Sequence, residues 1–408
     1  MFEFLLDERE RAFRDSARAF VKDHVSPDLI REMDADKVTY PREYVRALGR
    51  AGLLGCRFSE EWGGRGLNWV AEMAALEEIG VLGAALGCAF AMPSIVGEAL
   101  SRFGSDAQRR KYLRPILEGR LVSAEGLTEP RGGSDFFGAV TTAVKDGPHY
   151  VLNGAKRFVV GAEGADLFLI YAKTDPAAPP HSSLSLFIVE RDMGVEVKHL
   201  YGLMGARGGG TGRVVFKDVR VPEDNIVGAE GAGGLIFNFM MVPERLTSAG
   251  GALGAARAAL DVAARYSMKR KAFGKFIREF EGVSFRVADS IAALDAARSL
   301  AYTACRAQDS GLDSRRLVSE AKKVCTESAW EVINHAMQVL GGIGYTSVFP
   351  IERLLRDARL MMIWTGSNEI MNLLIQHEYY KEVGKRPAGA RDIEGDAITP
   401  AEEEKVFE

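Results

Sequence analysis

Cysteine, histidine and net charge are scarce in this chain of 408 residues, and each scarcity closes off a class of function. The four cysteines, Cys56, Cys88, Cys305 and Cys325, stand far apart in no metal-binding or redox spacing. They are expected to be reduced thiols in the core of a cytoplasmic protein. Six scattered histidines form no H-E-x-x-H pair, so no metal centre is expected. A net charge of −4 leaves no broad basic footprint for nucleic acid. The opening M-F-E-F-L-L-D-E-R-E-R is too charged for a signal peptide and too acidic for a transit peptide. One run, 79–97, carries no charge, but Pro93 interrupts it and Glu77, Glu78 and Glu98 flank it. A buried helix with a turn is expected there, not a membrane span.

What is present divides into an α–β–α order. With 47% hydrophobic residues the chain can build a sizeable core, and its length suggests two or three domains. Helical periodicity covers 8–24, where Phe13, Ala17, Phe20 and Val21 share a face, then 42–52, 68–79 and 105–117. Between 141 and 219 the texture changes to short apolar and β-branched runs separated by Gly, Pro and Asp: 141–144, 150–152, 167–172, 184–189, 195–199 and 213–219. These predict strands in a sandwich or barrel. Helical patterning returns over 243–268, 281–308, 314–340 and 350–381, enough for a four-helix bundle. The first of these carries a stripe of small residues (Ala249, Gly250, Gly251, Gly254, Ala255, Ala258) that suits close helix packing in a bundle core or at a subunit interface. The expected domains are 1–121 (helical), 122–230 (β), 231–384 (helical bundle) and a polar, mobile tail, 385–408.

Several motifs lie on this framework. G-L-T-E-P-R-G-G-S-D (126–135) sits where the helical texture gives way to strands, and by itself describes a turn. K-R-F-V-V-G (156–161) is by itself a strand. G-A-R-G-G-G-T-G (205–212) is glycine-rich, but a strand-like segment follows it, and no phosphate-binding lysine is present, so a Rossmann loop is excluded. R-K-A-F-G-K-F-I (270–277), Q-V-L-G-G-I-G-Y (338–345), R-L-L-R-D-A-R (353–359) and M-I-W-T-G-S-N-E-I (362–370) complete the series.

In this order and spacing, spanning 59–375, the motifs resemble those of the acyl-CoA dehydrogenase family. The resemblance implies an N-terminal helical domain, a middle β-domain and a C-terminal bundle, with FAD as cofactor and an acyl-CoA thioester as substrate. It assigns Leu127, Thr128, Gly133 and Ser134 to the flavin, with Ser134 also near the thioester. Phe158, Val159 and Val160 fall in the second flavin segment, where Val160 replaces a hydroxyl residue. Arg270, Phe273, Glu281, Gln338, Gly341 and Gly342 correspond to contacts that reach the FAD of a neighbouring subunit, with Glu281 in place of the usual Gln. Ser367 and Glu369 join the cofactor set, and Arg245 and Gly366 the substrate set. The resemblance also implies a homotetramer (a dimer of dimers) and an electron-transfer flavoprotein as electron acceptor.

One departure bears on the chemistry. The family motif I-Y-E-G-T-x-E-I carries its catalytic base where this chain has Thr365. A threonine hydroxyl is too weak an acid to serve as a general base near neutral pH, although its backbone N–H could still donate to the thioester oxygen. Branches resembling isovaleryl-CoA and long-chain acyl-CoA dehydrogenases place the base on another helix, in a context matched by V-P-E-R-L (242–246). Glu244 is therefore the expected base, against a plain reading as a first-turn acid after a proline at N1. The relocation hints at a bulky acyl group. The lost hydroxyls at Val160 and Gly209 leave open an oxidase, a monooxygenase-like enzyme or a dehydrogenase of carrier-protein thioesters. Thr365 leaves open a non-catalytic flavin-binding scaffold.

Overall fold

The computed structural model describes residues 2–385 together with 389, 391, 393–396 and 398. Most of the polar tail, expected to be mobile, lies outside the described residues. The N-terminal third holds α1 (Glu8–His24), α2 (Pro27–Asp34), α3 (Arg42–Arg50), α4 (Trp69–Ile79) and α5 (Ala84–Phe103). A last helical stretch runs through α6 (Asp106–Gln108), a π-helical turn at Arg109–Leu113, and α7 (Arg114–Leu117). Asp7 and Glu10 close α1 with a reciprocal capping box, and Asn68 caps α4 by accepting from the Ala71 amide. The charge-free run is a 3-10 turn (Gly80–Leu82) followed by α5, with Pro93 inside the helix. Among the described residues α5 alone is long and apolar enough to cross a membrane, and it is largely buried in the protein.

The middle domain is one eight-stranded mixed sheet. Its strands are β1 (Ser123–Gly126), β2 (Thr142–Asp146), β3 (His149–Val159), β4 (Leu167–Lys173), β5 (Leu184–Glu190), β6 (Glu196–Leu200), β7 (Gly212–Pro222) and β8 (Ile226–Val227). The order is β6-β7-β3-β2-β4-β5-β8, and β1 pairs parallel with β4. The apolar runs of β4 and β5 follow from burial on both faces. Phe168, Ile170 and Phe187 pack against Tyr150, Leu152 and Phe216 inside the β-layer. Leu167, Leu169 and Tyr171 pack outward on Ile95, Ile236 and Met240 of the helices.

The C-terminal part comprises α8 (Gly233–Ser267), a small hairpin of β9 (Lys271–Ala272) and β10 (Lys275–Phe276), then α9 (Glu281–Asp309), α10 (Arg315–Leu340), α11 (Ile351–Met361) and α12 (Asn368–Val383). Two expectations are corrected here. The first long helix begins at Gly233 rather than at Pro243, so Pro243 and Glu244 lie inside α8 and Glu244 is not a first-turn acid. Burial of Ile236, Met240 and Met241 outweighs the proline's missing N–H. The single helix expected over 350–381 is two, broken at 362–367 where Thr365 (φ 54°) and Gly366 (φ 83°) turn the chain left-handed. The small-residue stripe packs within the chain: a Cβ on Gly254 would sit 2.6 Å from the Glu77 carbonyl oxygen of α4.

Candidate active site

Three segments converge where β1, α8 and the turn between α11 and α12 meet. Glu244 projects from the interior of α8. One turn on, on the same face, Ser248 accepts a 2.7 Å hydrogen bond from the Trp364 indole, Nε1 to Oγ. That bond docks the 362–367 turn beside Glu244. A second support comes from α10, where the buried Lys322 ammonium donates to the Gly366 carbonyl at 2.9 Å and to Asn368 Oδ1 at 2.8 Å. Burial, with Arg245 nearby, pulls the Lys322 pKa down to about 7. The turn so held leaves Thr365 under-used. Its buried Oγ1 has no partner, and no acceptor takes its N–H among the described residues.

The third wall is β1. Glu125 is 7% exposed, and neither of its oxygens accepts from any N–H or O–H donor. The Glu244 carboxyl is the acid that acts on it directly. Burial pushes the Glu125 pKa well above the ordinary carboxyl range, and the Glu244 charge adds to the rise. Burial also raises Glu244, while the neighbouring Glu125 carboxyl and the charge of Arg245 hold it back. Arg245 itself is buried, with its guanidinium 3.4 Å from Ser319 Oγ, and burial pulls it down to about 10.

Beside this cluster the two flavin-like motifs of the β-domain are tied together. The Arg157 amide donates to the Thr128 carbonyl at 2.8 Å, so the loop after β1 runs alongside β3. Glu129 closes the loop from beneath, accepting from the Val140 amide (2.6 Å), the Thr141 amide (3.1 Å) and Lys156 Nζ (2.8 Å). β3 carries one extra residue against β7 between Lys156 and Val159. This bulge sets Phe158 at φ 56° and turns its ring outward, half exposed. Val159 points the other way, into the β core at 1% exposure, so only its backbone can face a cofactor. Val160 is half-buried, Leu127 and Thr128 are half-buried, and Gly133 and Ser134 are exposed.

These features fit a flat aromatic cofactor with polar edges. Phe158 offers a half-exposed ring flanked by Tyr201 and the Arg157 guanidinium, and Arg157 Nε and the Thr365 hydroxyl and amide are polar groups without protein partners. Ser367 and Gly366 lie in the docked turn, and Glu369, in the first turn of α12, is exposed. The remaining expected contacts are not gathered here. Arg270, Phe273 and Glu281 lie past the far end of α8, and Glu244 to Ser267 is about 35 Å along a helix. Phe273 tips the β9–β10 hairpin at φ 51°, 96% exposed. Gln338, Gly341 and Gly342 are exposed at the end of α10, with Gly341 at φ 66°. Within one chain these residues do not reach the Glu244 site.

The sequence reading missed Glu125, Lys322 and the Trp364–Ser248 bond. Glu125 carried a signal: a charged residue in S-A-E-G-L, just upstream of a matched loop, where a buried strand would hold an apolar side chain.

Comparison with known proteins agrees with this layout. Residues 7–120, 124–219 and 231–379 match the models for the acyl-CoA dehydrogenase N-terminal, middle and C-terminal domains. The chain is 33% identical over 381 residues to a short-chain specific acyl-CoA dehydrogenase of Clostridium acetobutylicum, covering 93% of this chain and 100% of that one. It is 34% identical over 374 residues to mitochondrial isovaleryl-CoA dehydrogenase of Pongo abelii, covering 91% and 88%. Among solved structures, the FAD complex of PigA superposes with a TM-score of 0.87 at 28% identity, covering 92% of this chain and 99% of PigA.

Proposed function

Since the chain belongs to the acyl-CoA dehydrogenase family of FAD-binding oxidoreductases, we propose that it introduces an α,β double bond into an acyl-CoA thioester with Glu244 as the base. The observation that carries this reading is the placement of Glu244. It is a half-buried carboxylate on the helix face against which the Thr365 turn is docked, at the point where the usual base is missing. Burial raises its proton affinity toward the range useful near neutral pH.

In this mechanism the Glu244 carboxylate takes the α-proton. The free Thr365 N–H donates to the thioester oxygen as negative charge builds there. Leu127, Thr128 and Phe158 bound the cofactor face, with Phe158 covering the ring. When bound, FAD would supply the acceptor for the hydride that leaves the β-carbon, with an electron-transfer flavoprotein as the proposed electron acceptor. The side chains of Arg270, Phe273 and Gln338, remote within one chain, serve the cofactor of a neighbouring copy, which makes the working unit a dimer or a dimer of dimers. A monomeric mass in solution for the FAD-loaded protein would sink that arrangement.

The test of the base is anaerobic bleaching of the flavin by a panel of straight-chain and branched acyl-CoAs, on the wild type and on Glu244→Gln. A positioned base is worth roughly 10²–10⁴-fold, so the variant is expected to slow bleaching by at least ~100-fold with FAD still bound. Equal rates would remove Glu244 from the mechanism. No bleaching by any thioester in the panel would count against the dehydrogenase reading itself.

A further inference from the structure

The environment of Glu125 poses a charge problem. Both Glu125 oxygens are closed off from water and meet no donor, and the acid acting on them is Glu244; two such carboxyl groups cannot both be ionised without a cation between them. None of the charged or titratable neighbours is hydrogen-bonded to either carboxyl group. Lys156 of β3 lowers the Glu125 proton affinity by its charge, but its ammonium is bound to Glu129 Oε1 at 2.8 Å and to the Leu127 carbonyl at 3.5 Å. Arg245 of α8 lies against Ser319, with Arg315 and Lys322 nearby. The Tyr171 hydroxyl of β4 donates to Met240 Sδ at 3.0 Å rather than to either acid. Cys88 of α5 is a half-buried thiol whose proton its desolvated setting and the Glu244 charge help to retain. With no cation bonded to either carboxyl, the pair needs a proton.

We propose that Glu125 and Glu244 form a carboxyl pair sharing one proton, in which Glu125 is the protonated partner that holds Glu244 ionised and aimed. Glu125 O–H donates to one oxygen of the Glu244 carboxylate and leaves the other free. During the reaction the α-proton moves to that free oxygen, while the proton of Glu125 stays in place. Glu125 is thus a positioning residue and never touches substrate. Its location suits that role. Parallel pairing to β4 fixes β1, with Glu125 opposite Leu169, so the donor sits on a rigid strand and not on the adjoining loop.

The kinetic arm of the test rests on Glu244 being the base; the spectroscopic arm does not. Infrared difference spectra of the FAD-loaded enzyme near neutral pH are expected to show a protonated carboxyl C=O band that disappears in Glu125→Gln. Flavin reduction is then followed against pH. A hydrogen bond to a charged group is worth roughly 10–100-fold in an equilibrium or rate. Glu125→Leu is therefore expected to slow reduction by about that factor at neutral pH and to move the rising limb of the profile to higher pH. Glu125→Gln keeps a neutral donor and is expected to stay within ~3-fold of wild type, a rescue that lost packing alone would not give. If Glu125→Leu does not fold, the band and the Glu125→Gln profile decide. Absence of the band overturns the pair. A limb unmoved in Glu125→Leu, or a Glu125→Gln as slow as Glu125→Leu, overturns the positioning role. A band that is present while Glu244→Gln reduces normally would leave the pair standing and remove the base.

Discussion

Lys156 and Glu129 form an ion pair of 2.8 Å with both side chains closed off from solvent, at 0% and 2% exposure. The pair joins the loop after β1 to β3, the two segments whose motifs mark the cofactor face. The Glu129 carboxyl also accepts two backbone amides. Burial opposes its charge, but Lys156 and those donors outweigh it and hold the acid below its ordinary range. A buried pair adds little relative to apolar residues, yet breaking one half of it is expensive.

Lys156→Met would strand the Glu129 charge, and a loss of about 3–5 kcal/mol in urea unfolding is expected. The double variant Lys156→Met with Glu129→Gln should recover part of that loss, because the remaining amide is neutral. A single variant as stable as wild type would mean that the pair does not hold the loop.

Thr365 is a β-branched residue at φ 54° with a buried hydroxyl that bonds nothing. Such backbone strain costs about 1–3 kcal/mol, more than the 0.4–1 kcal/mol or so of unfolded-chain entropy that glycine adds. Thr365→Gly is therefore expected to raise thermal stability slightly. Flavin reduction should stay within a few-fold, since the backbone N–H survives. A loss of reduction comparable to that of Glu244→Gln would show that the hydroxyl itself takes part.

Lys322 ties the same turn to α10. Lys322→Met removes the donor from the Gly366 carbonyl and Asn368, and a destabilisation of about 1–3 kcal/mol is expected. The deficit should depend on pH in a set direction. The wild-type pKa falls from 10.5 to about 7 on folding. Between those values the unfolded chain binds more protons, so wild-type stability gains as pH rises through that window. Methionine has no such gain, so the gap between variant and wild type should widen from neutral to alkaline pH. Unfolding midpoints measured across that range check it, and a gap that narrows would contradict the burial of a charged amine.

Much of this architecture was legible in the sequence, for identifiable reasons. β4 and β5 announce themselves because both faces are buried, which makes L-F-L-I-Y-A and L-S-L-F-I-V nearly unbroken apolar runs. α1 shows its cap and its face within one stretch. β1 was missed because S-A-E-G has no strand composition; its conformation comes from pairing with β4, more than forty residues on. Pro243 misled the start of α8 because local propensity was outweighed by packing of the preceding turns on the β-domain. The motifs disclosed Glu244 and Thr365, but not Glu125, whose partner lies 119 residues away on another domain (244 − 125). Long-range contact between two ionisable groups leaves no periodic trace.

The unbroken run of α8 has one more consequence. Its 35 residues lean in turn on α4, α5, β5, α9, α10 and α11, so it serves as a keel common to all three parts of the molecule. A reactive group on a turn such as 362–367 can swivel, because a few dihedrals reposition it. One seated at 244 has only its own side-chain torsions to spend. Moving the acid from turn to keel exchanges an adjustable tool for a clamped one, and the burden of alignment then falls on the incoming molecule.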